Sequence, residues 1–228
     1  MSAMRLAVFT MTCLICDSFS GYRDSHSAGQ SEQKVMIVAA FGTSLTHRAG
    51  WLKPLEVRLT RCFGGPVTVL DFGRSGVDSG WGVEAVGEVI RSQPDVVLIE
   101  FSANDAVWFK GLSLQRSREN TIKIVQTIRG ARPQAKIFLM AMSPSFGSRG
   151  WIRRGIEAYY DMYKSVADEL GVAYIDHRQS WKSLTENEVR EGIPDGAHPL
   201  PELASRILVP TIARAIGGAV CGESEIDP

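Results

Sequence analysis

The sequence lacks a charge excess of either sign. Its 25 Lys and Arg residues balance 25 Asp and Glu residues, so the formal net charge at pH 7 is zero. It also lacks a basic stripe with interleaved aromatic residues, since the short basic run at residues 152–154 is too brief to form one. The composition therefore gives no indication of a nucleic-acid partner.

A hydrophobic run long enough to cross a bilayer is missing from the N-terminal region. The apolar run there spans only residues 6–16, after a start whose one basic residue is Arg5, and small residues such as Ser18 and Ser20 follow it. This order is typical of a secretory signal peptide. We predict a leader over residues 1–30, no transmembrane span, and export to the periplasm or the cell exterior. If the segment is a disordered leader or follows a misplaced start codon, the protein is cytoplasmic.

Cysteine is scarce, and two of the four cysteines, Cys13 and Cys16, fall in the predicted leader. The other two, Cys62 and Cys221, lack the spacing of metal-ligand pairs. We therefore predict neither a metal site nor a cofactor.

From residue 34 onward, apolar runs of strand length alternate with segments of helical spacing. This alternation predicts an α/β fold with a parallel sheet. We expect a flavodoxin-like three-layer sandwich: a five-stranded parallel sheet in the order 2-1-3-4-5 with helices on both faces, in one domain over residues 31–220 with a loose tail at 221–228. The predicted strands are residues 35–41, 67–70, 95–101, 136–142 and 172–175, and the predicted helices are residues 51–62, 81–91, 114–129, 152–170 and 201–216.

In such a fold the first and last helices pack on the same face of the sheet and run parallel. Cys62 and Cys221 follow the C-terminal ends of these two helices. A disulfide between them is therefore compatible with the predicted fold, and an oxidising compartment would allow it to form.

Polar residues follow the carboxyl ends of three predicted strands. Ser44 follows the first strand, Gly76 the second and Asn104 the third. Because parallel strands gather these ends at one edge of the sheet, where ligands bind, we expect the three residues to lie close together. Asp195 and His198 precede the last helix and can join them.

These residue types form a complete set for nucleophilic catalysis. A serine hydroxyl needs a base, and His198 can take its proton while Asp195 orients the imidazole. The backbone N–H groups of Ser44 and Gly76 and the amide of Asn104 can bind an oxyanion. Taken singly, each residue also has a plain structural explanation as a helix cap, turn or surface residue. His177 as the base is an alternative, and so is Ser145 as the nucleophile.

Four ordered sequence blocks, AFGTSLT, GRSG, SAND and DGAHP, resemble those of the SGNH hydrolases, also called GDSL-type esterases. The resemblance covers residues 34–216. It implies a nucleophile, two oxyanion donors and an Asp–His pair at the positions just described. Two residues depart from the family pattern, namely Thr43, where Asp is usual, and Ala103, where Gly is usual. Neither removes a catalytic group, but the local turns can differ.

The predicted function is hydrolysis of a short-chain ester, such as acetyl on a carbohydrate, through an acyl-enzyme. Trp108, Phe146 and Trp151 are candidate substrate-binding residues, as a sugar or acyl platform, although each could equally pack in the core. The loops at residues 143–151 and 176–183 are mostly polar, which favours a sugar-facing rim over an acyl tunnel. The partner is thus a small-molecule or glycan ester.

Other functions stay open at this point. A lipase or thioesterase acting on longer acyl chains could use the apolar patch at Trp108 and Phe109. A non-catalytic glycan- or nucleotide-binding domain is a further alternative, although the phosphate-binding pattern G-x-x-x-x-G-K-[ST] is absent. The G-x-S-x-G elbow of α/β-hydrolases is also absent, because Thr46 stands where its last glycine belongs.

Overall fold

Five parallel strands form the central sheet of the computed structural model, which describes residues 34–222. Their order, β2-β1-β3-β4-β5, and their parallel pairing confirm the predicted topology. The strands are β1 (Met36–Gly42), β2 (Val67–Gly73), β3 (Val96–Glu100), β4 (Lys136–Ala141) and β5 (Ala173–Asp176).

Helices connect the strands, and short helices follow several strand ends. The five predicted helices are present, four of them within two residues of the expected bounds. In chain order the helices are α1 (Ser44–His47), α2 (Leu52–Phe63), α3 (Ser79–Arg91), α4 (Ser102–Asp105), α5 (Leu114–Ala131), α6 (Gly147–Trp151), α7 (Ile156–Leu170), α8 (Arg178–Lys182), α9 (Glu186–Gly192) and α10 (Pro201–Gly217).

Alternate residues of the strands face opposite layers, which gives the predicted three-layer sandwich. In β1, Val38 and Ala40 lie in the apolar cluster that includes α2 and α10. Their neighbours Ala39 and Phe41 lie in the second cluster, which includes α3, α5 and α7. Because both faces of the sheet are covered, its strands are mostly apolar, with charged residues near their ends.

The predicted helix over residues 152–170 is wrong at its N-terminal end. The chain forms α6 before it and then leaves helical geometry until α7 begins at Ile156, after Gly155. In this interruption the Arg153 side chain turns inward, and its Nε donates to the carbonyl of Ala103 at 2.8 Å. The other end is as predicted, because Gly171 caps α7 in the left-handed conformation with φ of 61°.

A disulfide joins Cys62 and Cys221, whose Cα atoms are 5.2 Å apart. Helices α2 and α10 pack together on one face of the sheet, as the fold prediction requires. The possible disulfide is therefore confirmed, and Cys221, the first residue of the predicted loose tail, is buried. The predicted leader, with Cys13 and Cys16, and residues 223–228 lie outside the described residues.

Within residues 34–222, one helical stretch, Pro201–Cys221, is long and apolar enough to cross a membrane by length and composition. Its apolar residues pack against α2 and the sheet in the core cluster, among them Leu208 and Ile212. We interpret this stretch as a core helix, because a buried helix of a globular domain has the same composition.

Candidate active site

The carboxyl ends of β1, β2 and β3 open into one cavity of about 240 Å³. Ser44, Gly76 and Asn104, which follow these three strands, all line it, and His198 lines it from the segment before α10. The structure thus brings together the residues that sequence reasoning placed at this edge. Their roles in a reaction stay predictions.

Three side chains form a continuous hydrogen-bonded chain at this cavity. The Ser44 Oγ lies 2.8 Å from Nε2 of His198, and the Nδ1 of His198 lies 2.6 Å from Oδ2 of Asp195. Because an ionised carboxylate only accepts hydrogen bonds, Nδ1 carries the proton. In the neutral imidazole, Nε2 is then free to accept the proton of Ser44.

Asp195 is held in its ionised form. Burial opposes the charge, but hydrogen bonds from the His198 ring and from the backbone N–H groups of His198 and Ala197 lower the pKa of Asp195 to about 2. The two backbone bonds, at 2.7 and 2.9 Å, also fix the turn that carries His198. The carboxylate can therefore both orient the imidazole and stabilise the imidazolium.

A neighbouring loop clamps this Asp–His turn. Phe146 donates its backbone N–H to the carbonyl of Gly196 at 2.9 Å. Gly196 has φ of 79°, and a Cβ there would stand 2.5 Å from the Phe146 carbonyl oxygen, so only glycine fits. Phe146, a candidate substrate residue, does not line the cavity, and its backbone positions the turn instead.

The turn that carries Ser44 is built by hydrogen bonds to its neighbours. Thr43 caps α1, and its Oγ1 accepts the Leu45 N–H at 3.2 Å. The buried Trp51 donates its indole N–H to the Leu45 carbonyl at 2.8 Å. Ser44 is therefore held at the first residue of α1, with its Oγ directed at His198.

Glu100, at the end of β3, is a residue that sequence reasoning missed. It is fully buried and accepts hydrogen bonds from the Thr43 N–H (2.6 Å), the Thr43 hydroxyl (3.0 Å) and the Thr46 hydroxyl (2.7 Å). Glu100 thus anchors the turn on both sides of Ser44. Burial raises its pKa to about 7, although these hydrogen bonds oppose the rise. The available signal was a charged residue ending an otherwise apolar strand.

Replacing Glu100 with glutamine should change how stability depends on pH. Between pH 4.5, the ordinary pKa, and about 7, the folded state holds a proton that the unfolded state has lost, so the unfolding free energy falls as pH rises. The Glu100→Gln variant cannot titrate there. We compare the free energy of unfolding of the wild type with that of the variant. The difference, wild type minus variant, should fall by about 3 kcal/mol across this window, since one pKa unit corresponds to about 1.4 kcal/mol. Urea unfolding at stepped pH measures it, and a constant difference contradicts it.

The Asn104 side chain is oriented by two partners. Its Nδ2 donates to the Val77 carbonyl at 2.8 Å, and its Oδ1 accepts from Nη2 of Arg153 at 3.1 Å. The second hydrogen of Nδ2 has no acceptor among residues 34–222, so it is free to bind an oxyanion. Arg153 is buried. Sequence reasoning missed its role, because the spacing of apolar residues predicts a regular helix over residues 152–170. Gly76, which lines the cavity, has φ of 80°, a conformation that favours glycine.

The aromatic candidates Trp108 and Trp151 lie beside the cavity and do not line it. They contact each other edge to face, with ring centroids 5.9 Å apart, and are 52% and 60% exposed. Phe109, next to Trp108, is the aromatic residue that lines the cavity. Their role as substrate-binding residues stays a prediction. Trp181, in contrast, is buried.

The two alternative catalytic residues have different surroundings. His177 is fully buried, neither ring nitrogen has a hydrogen-bond partner within residues 34–222, and burial lowers its pKa to about 4. It has no bond to Ser44. Ser145 lies nearer, lining a second, small cavity of about 10 Å³ together with Ser44 and His198.

Within the described part of the chain, no group of three or more His, Cys, Asp or Glu side chains is placed to hold a metal ion.

Comparisons with known proteins match this chain to one family and one fold. The sequence model of the GDSL-like lipase/acylhydrolase family matches residues 24–204. No curated protein matches the chain. Among solved structures, a lipase/acylhydrolase from Enterococcus faecalis is 23% identical, with a TM-score of 0.68 over 83% of this chain and 100% of its own.

Two further solved structures have the same fold. The acetylxylan esterase Axe2 from Geobacillus stearothermophilus is 19% identical, with a TM-score of 0.69 over 81% of this chain and 95% of its own. TesA is 21% identical, with a TM-score of 0.63 over 82% of this chain and 99% of its own. At these identities the likeness concerns the fold.

Proposed function

The chain belongs to the GDSL-like lipase/acylhydrolase family, and from this premise we propose that it hydrolyses short-chain carboxylic esters through an acyl-enzyme on Ser44. The family assignment confirms the resemblance carried by the four sequence blocks. The observation that carries the proposal is the hydrogen-bonded chain from Ser44 through His198 to Asp195, which ends at the cavity lined by Gly76 and Asn104. A non-catalytic binding domain would not need this arrangement.

Each residue has a defined task in the proposed reaction. His198 Nε2 takes the proton of Ser44 as Oγ attacks the ester carbonyl, and Asp195 stabilises the imidazolium. The oxyanion accepts hydrogen bonds from the Ser44 and Gly76 N–H groups and from the Asn104 amide. His198 then gives the proton to the departing alcohol. In the second half, His198 activates a water that releases the acid and frees Ser44.

The size of the cavity supports a short acyl group. At about 240 Å³, it lies below the range of about 300–1,000 Å³ typical of pockets for drug-sized ligands. The second space beside Ser44, about 10 Å³, is the size of one small group. The apolar side chains that line the main cavity are only Val107, Phe109 and Ile152. A long acyl chain would instead have to lie over the exposed rings of Trp108 and Phe109.

A carbohydrate is the proposed alcohol part of the ester. The exposed edge-to-face pair of Trp108 and Trp151 stands next to the cavity, and aromatic faces are suited to stack on sugar rings. One solved structure of the same fold is an acetylxylan esterase, which agrees with this choice. We also propose that the protein is exported, because the Cys62–Cys221 disulfide and the leader-like N-terminal sequence both fit an oxidising compartment.

A series of p-nitrophenyl esters from acetyl to palmitoyl tests this function. We expect the highest kcat/KM for acyl groups of two to four carbons, because the mostly polar and cationic cavity lining offers little apolar surface to a longer chain. A maximum at eight carbons or more would favour a lipase or thioesterase and assign the acyl site to Trp108 and Phe109. Failure to hydrolyse any of the esters would favour a non-catalytic domain.

A further inference from the structure

Four cationic side chains line the cavity beside Ser44. They are Arg48, Lys110, Arg149 and Arg153, and the lining includes no Asp or Glu. They come from different parts of the fold, namely the end of α1, the turn after α4, and the segment from α6 to α7. The chain as a whole has no net charge, so this concentration of positive charge is local to the cavity.

Carboxylates compensate only part of this charge. Lys110 donates to the Gly76 carbonyl at 2.5 Å and lies 3.7 Å from Asp78. Arg149 lies 3.8 Å from Asp195, whose charge is already shared with the His198 ring. Two carboxylates therefore face four cations.

The remaining two cations have no carboxylate partner among the described residues. The Arg153 guanidinium is committed to neutral oxygens, the Ala103 carbonyl and the Asn104 amide, so its task is to position Asn104. The Arg48 side chain has neither a hydrogen bond nor an ion pair within residues 34–222, and the residue is exposed at the cavity. A guanidinium in this state can bind an oxyanion group with two hydrogen bonds.

We propose that the ester substrate itself carries an anionic oxygen group, such as the carboxylate of an acidic sugar, which Arg48 and Arg149 bind. This rests on the proposed esterase function and specifies its substrate class. A cleft lined by one sign of charge also focuses the field and raises the local concentration of an oppositely charged substrate. A neutral acetylated sugar would leave Arg48 without a partner.

Two matched pairs of esters test the proposal, and they place the charge on either side of the bond. One pair is ethyl butyrate and monoethyl succinate, which differ by a carboxylate in place of the terminal methyl of the acyl part and whose hydrolysis is followed by acid release. The other pair is an acetylated methyl glucoside and the corresponding acetylated methyl glucuronoside, which differ on the alcohol part. We expect the anionic ester to have the higher kcat/KM in at least one pair, by roughly 5- to 10-fold, the size of one partly screened charge-assisted contact.

Salt and variants identify the source of the preference. Raising the ionic strength from about 0.02 M to about 0.5 M should reduce the ratio of anionic to neutral kcat/KM, because it shortens the Debye length. Arg48→Gln should lower the ratio by several-fold, and Arg48→Lys should give an intermediate ratio, because it keeps the charge but loses the bidentate contact. The matched control is Arg91→Gln, which removes a cation at the C-terminal end of α3, at the opposite edge of the sheet, and should leave the ratio unchanged.

The outcomes separate this inference from the function on which it rests. Hydrolysis of both members of each pair without preference for the anion overturns the inference and leaves the esterase function intact. A preference that neither salt nor Arg48→Gln reduces also overturns it, since the charge would then be recognised elsewhere. Failure to hydrolyse any ester overturns the proposed function and this inference with it.

Discussion

Replacing Ser44 with alanine should abolish ester hydrolysis and leave the protein folded. The proposed covalent step requires the Ser44 oxygen, so we expect kcat to fall by a factor on the order of 10⁴ or more. The change removes one oxygen whose side-chain hydrogen bond goes to His198, and that ring keeps its bond to Asp195. Hydrolysis of p-nitrophenyl acetate measures the loss, and circular dichroism checks the fold.

Ser145→Ala is the matched control, because Ser145 lines the small cavity that Ser44 also lines. A fluorophosphonate probe should label the wild type and the Ser145→Ala variant, and it should not label Ser44→Ala. If Ser44→Ala were still labelled, the nucleophile would be another serine, and loss of labelling in Ser145→Ala would identify it as Ser145.

The sheet was predictable because the sequence pattern that indicates it, an apolar run next to a helical segment, is local and repeats along the chain. Each apolar strand lies between helical segments, and the topology of such units is restricted to a few orders. The end of α7 was also predictable, since Gly171 marks a left-handed cap. The start of α7 was not, because the interruption before Ile156 depends on a contact with a distant segment. There, Arg153 reaches the Ala103 carbonyl, and apolar periodicity carries no information about that bond.

In the candidate site too, residues placed by the strand ends were predictable, and residues whose role depends on contacts distant in sequence were not. Ser44, Gly76 and Asn104 could be brought together from the sequence, because parallel strands place their carboxyl ends at one edge. Glu100 could not be assigned, because its role depends on three donors from a turn more than fifty positions earlier. Its neighbours in sequence are simply those of a buried strand.

The positive charge of the cavity is also invisible along the chain. Arg48, Lys110 and Arg149 are far apart in sequence, and the balanced composition conceals their gathering. The aromatic candidates were ambiguous for another reason, since a tryptophan in a loop is compatible with both exposure and burial. The structure leaves Trp151 exposed and buries Trp181, and nothing local to either residue distinguishes them.

Asn104→Ala should lower kcat by about 10²–10³, the usual effect of losing one oxyanion donor. The reason is geometric, since Arg153 and Val77 hold the amide so that one Nδ2 hydrogen is left for the reaction. KM should change little, because the oxyanion forms only after the substrate has bound. Asn104→Asp should be at least as inactive, since it replaces the donor with an acceptor and brings a negative charge towards the oxyanion.

Asn120→Ala provides the control for this experiment. Asn104 and Asn120 are both 6% exposed, and the Asn120 amide donates to the Ser79 hydroxyl and does not line the cavity. Asn120→Ala should therefore reduce stability while the folded protein keeps its kcat, whereas Asn104→Ala should reduce kcat even when fully folded. If Asn104→Ala instead raised KM at constant kcat, Asn104 would bind the substrate in its ground state, and the oxyanion would have to rely on the Ser44 and Gly76 N–H groups.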